Sequence, residues 1–101
     1  MNALDTNVLV YRLDGRDPLK QAQARQLLRQ LASDPTPTIL LWQVLGELVC
    51  QLRSWQDRDV ITRDGLLRYV ATIRRLFPLT MPTPQVIDHA LELTGQFSLS
   101  H

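Results

Sequence analysis

The chain has 101 residues, the length of one ordinary domain, so one small core is expected rather than several. Hydrophobic residues at 45% and charged residues at 21% match an average globular chain and argue against disorder or a fibrous architecture. Eleven basic residues face 10 acidic ones for a formal net charge of +1, so bulk charge points to neither nucleic acid nor an acidic membrane surface. Electrostatic arguments must therefore be local.

In chain order, Ala3-Leu4-Asp5-Thr6-Asn7-Val8-Leu9-Val10-Tyr11 is apolar with three small polar residues in the middle. The pattern permits a strand that turns near Asp5 and leaves open whether 8–11 stays extended. Gly15, Asp17 and Pro18 break it, and Ala24, Leu27, Leu28 and Leu31 then recur at helical spacing, predicting an amphipathic helix over 18–32. Asp34-Pro35-Thr36-Pro37 is a turn, because each proline fixes its own backbone and pushes its predecessor toward extended geometry. Thr38-Ile39-Leu40-Leu41 reads as a short strand buried on both faces. A helix over 43–54 follows, with Val44, Leu45, Leu48, Val49 and Leu52 as its apolar stripe and Trp42 and Trp55 at its ends. Residues 56–59 read as a polar loop.

Thr62 is placed to cap the next helix, with Asp64 near its positive end and Leu66, Val70, Ile73 and Phe77 at helical spacing up to Pro78. Leu79-Thr80-Met81 is a minimal strand, and Thr83-Pro84 opens a last helix carrying Val86, Ile87, Ala90, Leu91 and Leu93, closed by Gly95. Strands alternating with helices predict an α/β layer arrangement with a parallel sheet. The longest uncharged apolar stretch, 38–46, is far shorter than the roughly 20 residues of a membrane span. With a single cysteine, no internal disulfide and no secretory signal pattern, a reducing cytoplasmic setting is expected.

Two carboxylates draw attention. Asp5 falls where an apolar strand would deliver it to the C-terminal edge of a sheet, and Glu47 sits beside the apolar stripe of its helix, so partial burial is expected. Brought together, two such acids suit Mg2+ or Mn2+, hard ions that prefer oxygen ligands. The plainer reading is a turn formed by Asp5, Thr6 and Asn7 together with a helix acid at the margin of a stripe. Cys50 reads as a core filler and His89 and His101 as surface residues, which disfavours zinc. Of the dispersed arginines, Arg12 and Arg16 follow Asp5 closely enough to contact RNA phosphates, while Trp42 and Trp55 read as core or interface anchors more than as platforms for bases.

The opening Leu4-Asp5-Thr6-Asn7-Val8-Leu9-Val10-Tyr11, joined to Gln43-Val44-Leu45-Gly46-Glu47 after a strand and to a late Met81-Pro82-Thr83 before a helix, resembles the PIN domain. It looks especially like the VapC-type toxins of bacterial toxin-antitoxin pairs. The resemblance implies a Rossmann-like three-layer fold whose clustered acids bind Mg2+ or Mn2+ and cleave RNA. Asp5 and Glu47 match the family's first and second metal-binding acids, with Thr6 and Asn7 in support, and residues 8–11 are expected to be helical. It also implies an antitoxin-like protein partner; homo-oligomers are expected on a separate ground, because an open edge on the first strand and uncovered apolar helix faces invite pairing with another chain.

Leu41 stands where many relatives have a small hydroxyl residue, and His101 ends the sequence where relatives proceed to a third acidic motif and a further strand. The expectation is thus a partial PIN-like domain over 1–101, its C-terminal strands missing and its first strand left with an open edge. It would be a Mg2+- or Mn2+-dependent endoribonuclease, inactive if two acids cannot hold the ion. The alternative is a non-catalytic PIN-like remnant acting by self-association or antitoxin binding, and a plainer one is a small α/β protein without metal.

Overall fold

The computed structural model describes residues 2–81 together with 84 and 85. The expected helix over 86–93, its Gly95 stop, the Thr83 cap, His89, His101 and the terminal segment 97–101 lie outside the described residues. Among the described residues the order is β1 (Asn2–Ala3), α1 (Thr6–Leu13), α2 (Pro18–Ser33), β2 (Thr38–Leu41), α3 (Trp42–Asp57), α4 (Arg63–Leu76) and β3 (Leu79–Thr80). The three strands form a parallel sheet in the order β1-β2-β3, with Ala3 opposite Ile39 and Leu41 opposite Thr80.

Three of the four helices, α1, α2 and α4, start where the sequence supplies a capping side chain. The Asp5 carboxylate accepts from the Asn7 amide at 2.7 Å, and Asp17 accepts from the Lys20 amide at 3.1 Å ahead of Pro18. Thr62 Oγ1 accepts from the Gly65 amide at 3.0 Å, with Asp64 at the positive end of α4 and Arg74 and Arg75 at its negative end. A Cβ on Gly65 would come within 3.1 Å of that same Thr62 oxygen, so glycine leaves room for the cap to close. α3 has no capping side chain, its N-cap being Leu41. The segment 8–11, open on periodicity alone, is helical because capping at Asp5 turns the chain immediately after β1.

Strand alternation divides the core between the two faces of the sheet. On one face Leu4 and Leu40 meet Val8 and Leu9 of α1, Leu28 of α2, Leu48 and Leu52 of α3, and Tyr69 and Ile73 of α4. On the other, Ala3, Ile39 and Leu41 form a smaller cluster joined by Val44. β2, the central strand, is buried at all four positions, which explains its unbroken apolar run. β1 pairs only with β2 among the described residues.

Several expectations are corrected. α3 begins at Trp42 and continues through Gln56 and Asp57, where a loop was expected over 56–59. The buried Trp55 anchors its last turn, and the chain leaves through Asp59 in the left-handed region (φ 57°). Cys50 is exposed, not a core filler. Glu47 is exposed as well. The reason is angular: Leu48, Leu52 and Trp55 define the buried line of α3, and at about 100° per residue Glu47 stands roughly a quarter turn off it and Cys50 on the far side. Met81 falls outside β3. No helix of the described residues is long and apolar enough to cross a membrane.

Candidate functional site

Parallel pairing sends β1 and β2 out of the sheet at the same edge, and both strands run straight into helices there. Asp5 occupies the β1–α1 junction, partly buried, with Oδ1 engaged by the Asn7 amide. The next residue, Thr6, donates its hydroxyl to Glu47 Oε2 at 2.8 Å across 41 residues of sequence. That bond ties the first turn of α1 to the second turn of α3 and fixes the Glu47 carboxylate although its side chain is solvent-facing.

Thr6, Asn7 and Glu47 line a shallow hollow of about 400 Å3, whose other walls include Tyr11, Asp14 and Arg16. Asp5 is not among the residues that line it; it is the N-cap of α1, two residues past β1. Arg16 is held in a fork on Asp14: Nε to Oδ1 at 2.9 Å and Nη2 to Oδ2 at 2.8 Å, with the Arg16 amide also donating to Oδ1 at 3.0 Å. The Arg16 hydrogen bonds draw the Asp14 carboxyl below its usual range and push the guanidinium further up, so both stay charged near neutrality.

Arg12 goes elsewhere. It sits in the last turn of α1 with its guanidinium 5.7 Å from the centre of the Tyr69 ring. There it joins Arg25 and Arg29 around a groove of about 460 Å3 between α2 and α4, floored by Leu28, Ile73 and Leu76. The two arginines paired in the sequence reading are therefore separated: Arg16 faces the Glu47 hollow and Arg12 the basic groove.

The donors at the sheet edge are carboxylate, hydroxyl and amide oxygens, a set that suits Mg2+ or Mn2+ more than a soft-ligand metal. Each carboxylate offers about four lone-pair positions, so capping at Asp5 and the Thr6 bond at Glu47 leave capacity for an ion. Two acids are a sparse set: among the described residues no group of three or more His, Cys, Asp or Glu side chains converges.

Sequence reasoning missed three contributors. Gln51 lines the hollow and is signalled only by its position four residues after Glu47 on the same helix face. Asp14 orients Arg16, a local two-residue pairing visible in Asp14-Gly15-Arg16 once a turn is placed there. Tyr69 donates its hydroxyl to the Leu9 carbonyl at 2.6 Å, buttressing α1 from α4, and nothing in local sequence signals that contact. Burial pushes the Tyr69 phenol upward, against a smaller opposing effect of Arg12, so it remains a donor. No family model and no curated protein matches the chain.

Proposed function

We propose that this chain is a Rossmann-like PIN-type domain of the VapC toxin class, a Mg2+- or Mn2+-dependent endoribonuclease whose ion is held by Asp5 and Glu47. The observation that carries the reading is the Thr6–Glu47 hydrogen bond: it joins the two sequence motifs at the edge where parallel strands β1 and β2 end. Edges of this kind are the usual sites of α/β sheets.

Bound there, a divalent ion would supply a Lewis acid for a phosphodiester and an acidified water. The protein's own part is positional. Thr6 restrains the Glu47 carboxylate, the Asn7 amide restrains that of Asp5, and Arg16, held on Asp14, places a guanidinium on the wall of the hollow that Glu47 lines, where it would meet an RNA phosphate. The test is cleavage of a mixed RNA with Mn2+ by the wild-type chain beside Asp5→Asn, prepared identically. Cleavage lost in the variant supports the assignment, and equal cleavage or equal Mn2+ binding by both refutes it.

A second reading has an observation of its own. Asp5 caps α1 and Glu47 accepts from Thr6, so both acids have structural duties that need no metal. In that case the chain is a non-catalytic PIN-like module that self-associates or binds an antitoxin-like partner. The groove carrying Arg12, Arg25 and Arg29 offers an apolar floor and basic walls to an acidic partner segment.

A further inference from the structure

We propose that the groove between α2 and α4 is a binding site for a small organic polyphosphate of the nucleoside triphosphate class: Arg12, Arg25 and Arg29 take its phosphates, and Leu28, Ile73 and Leu76 its apolar body. The site uses neither Asp5 nor Glu47 and shares no lining residue with the Glu47 hollow, so it stands or falls apart from the nuclease reading.

Four guanidiniums from three helices meet here. Arg12 comes from α1, Arg25 and Arg29 line the groove one turn apart on α2, and Arg75 of α4 reaches its rim, donating to the Thr72 hydroxyl at 3.4 Å. Among the described residues only Arg16 has an acid within ion-pair distance, so these four have none. No acid lines the groove, α2 contains none, and α4 has none after Asp64. Asp34, which follows α2, turns its Oδ1 to the Thr36 amide. In a chain whose net charge is only +1 this is a local excess, and like charges four residues apart on a helix repel unless an anion lies between them. Arg12 is already oriented, with its guanidinium 5.7 Å from the centre of the Tyr69 ring. At about 100° per residue it leaves α1 on the side opposite Thr6, Asn7, Val10 and Tyr11, which line the hollow.

The size and chemistry of the groove select among anions. Its volume of about 460 Å3 falls in the roughly 300–1,000 Å3 range of small-ligand sites. A guanidinium fork matches phosphate oxygens two at a time. Four positive charges around so small a space suit a compact polyanion with its charges on neighbouring phosphates, whereas an RNA strand brings one charge per nucleotide and an acidic peptide at most one per residue. The floor selects for something besides charge. Leu76 is 48% exposed and, beside the buried Leu28 and Ile73, offers an aliphatic surface that the body of a nucleoside covers and inorganic phosphate does not. A protein partner is a poorer match, because a stable interface takes about 20–30 residues a side and ten of the described residues form this groove.

The probe is ATP in EDTA at about 0.15 M salt, which removes metal and screens loose electrostatic attraction, with binding followed by calorimetry. Wild type should bind one ATP per chain. Arg25→Gln combined with Arg29→Gln should weaken it at least about ten-fold, as the loss of hydrogen bonds to a charged ligand predicts. Arg53→Gln removes an exposed arginine of α3 outside the groove and should leave affinity unchanged. Leu76→Gln should weaken ATP and not inorganic triphosphate. All four substituted side chains are exposed, so the variants keep the fold.

Asp5→Asn, which tests the nuclease reading, should bind ATP as wild type does. No ATP binding, or an equal loss in Arg53→Gln, would overturn the site. Triphosphate bound as tightly as ATP, with Leu76→Gln altering neither, would overturn it in favour of a bare attraction between charges. A single-stranded RNA or a polyglutamate peptide held by Arg25 and Arg29 and not displaced by ATP would overturn it in favour of a macromolecular occupant.

Discussion

Asp5 is asked to do two things, and two substitutions separate them. Its Oδ1 accepts from the Asn7 amide at 2.7 Å, which makes it the N-cap of the eight-residue helix α1. Its negative charge also lies at the positive end of that helix, whose first turn contains no other acid. Asp5→Asn keeps a carbonyl oxygen for the cap and loses the charge, an expected cost of about 0.3–1 kcal/mol from the helix dipole. Asp5→Ala loses both, adding about 1 kcal/mol for the cap. The alanine variant should thus unfold at a urea midpoint about half a molar below the asparagine variant, taking a slope near 2 kcal/mol/M. Mn2+ binding, followed by the electron paramagnetic signal of the free ion, should be lost in both variants alike. Stability would then track the oxygen and ion binding the charge. Equal midpoints for the two variants would remove the capping argument, and Mn2+ affinity retained in Asp5→Asn would remove the ligand.

Three further outcomes follow from individual contacts. Tyr69→Phe deletes the buried 2.6 Å bond to the Leu9 carbonyl and should cost about 1 kcal/mol in urea unfolding, with faster exchange of the α1 amides; an unchanged midpoint would mean that α4 does not brace α1. Thr38→Val should instead stabilise the chain by about 1 kcal/mol, because the Thr38 hydroxyl is buried in β2 with no partner among the described residues, and a loss of stability in the same assay would contradict this. The Asp14–Arg16 pair predicts a pH effect of definite sign. The Asp14 pKa is lowered by folding, so the pair's contribution is present above the ordinary carboxylate value of 3.8 and lost as pH falls through the lower folded value. The midpoints of wild type and Arg16→Gln should converge in that acidic range, and a gap that persists there would show that the pair is not its cause.

Much of the fold is legible in local sequence. Asp17-Pro18 starts α2, Thr62 with Gly65 starts α4, and the apolar run Thr38-Ile39-Leu40-Leu41 is the fully buried central strand, because caps, prolines and burial patterns act over a few residues. The loop expected at 56–59 failed because Trp55 finds a buried place and carries the helix one more turn past polar residues, a tertiary effect overriding local polarity. Cys50 was misplaced for a related reason. Its apolar neighbours Val49 and Leu52 made it look internal, while the angular position that decides exposure depends on which line of α3 meets the sheet.

By itself the sequence determined the α/β alternation, the acid at the end of the first strand and the acid on the third helix, since each follows from composition, periodicity or capping within a short window. Tertiary structure alone decided that Thr6 reaches Glu47, and that Arg16 joins them on one hollow while Arg12 turns to another groove. Those meetings span tens of residues and depend on strand register and helix rotation, which no local pattern encodes.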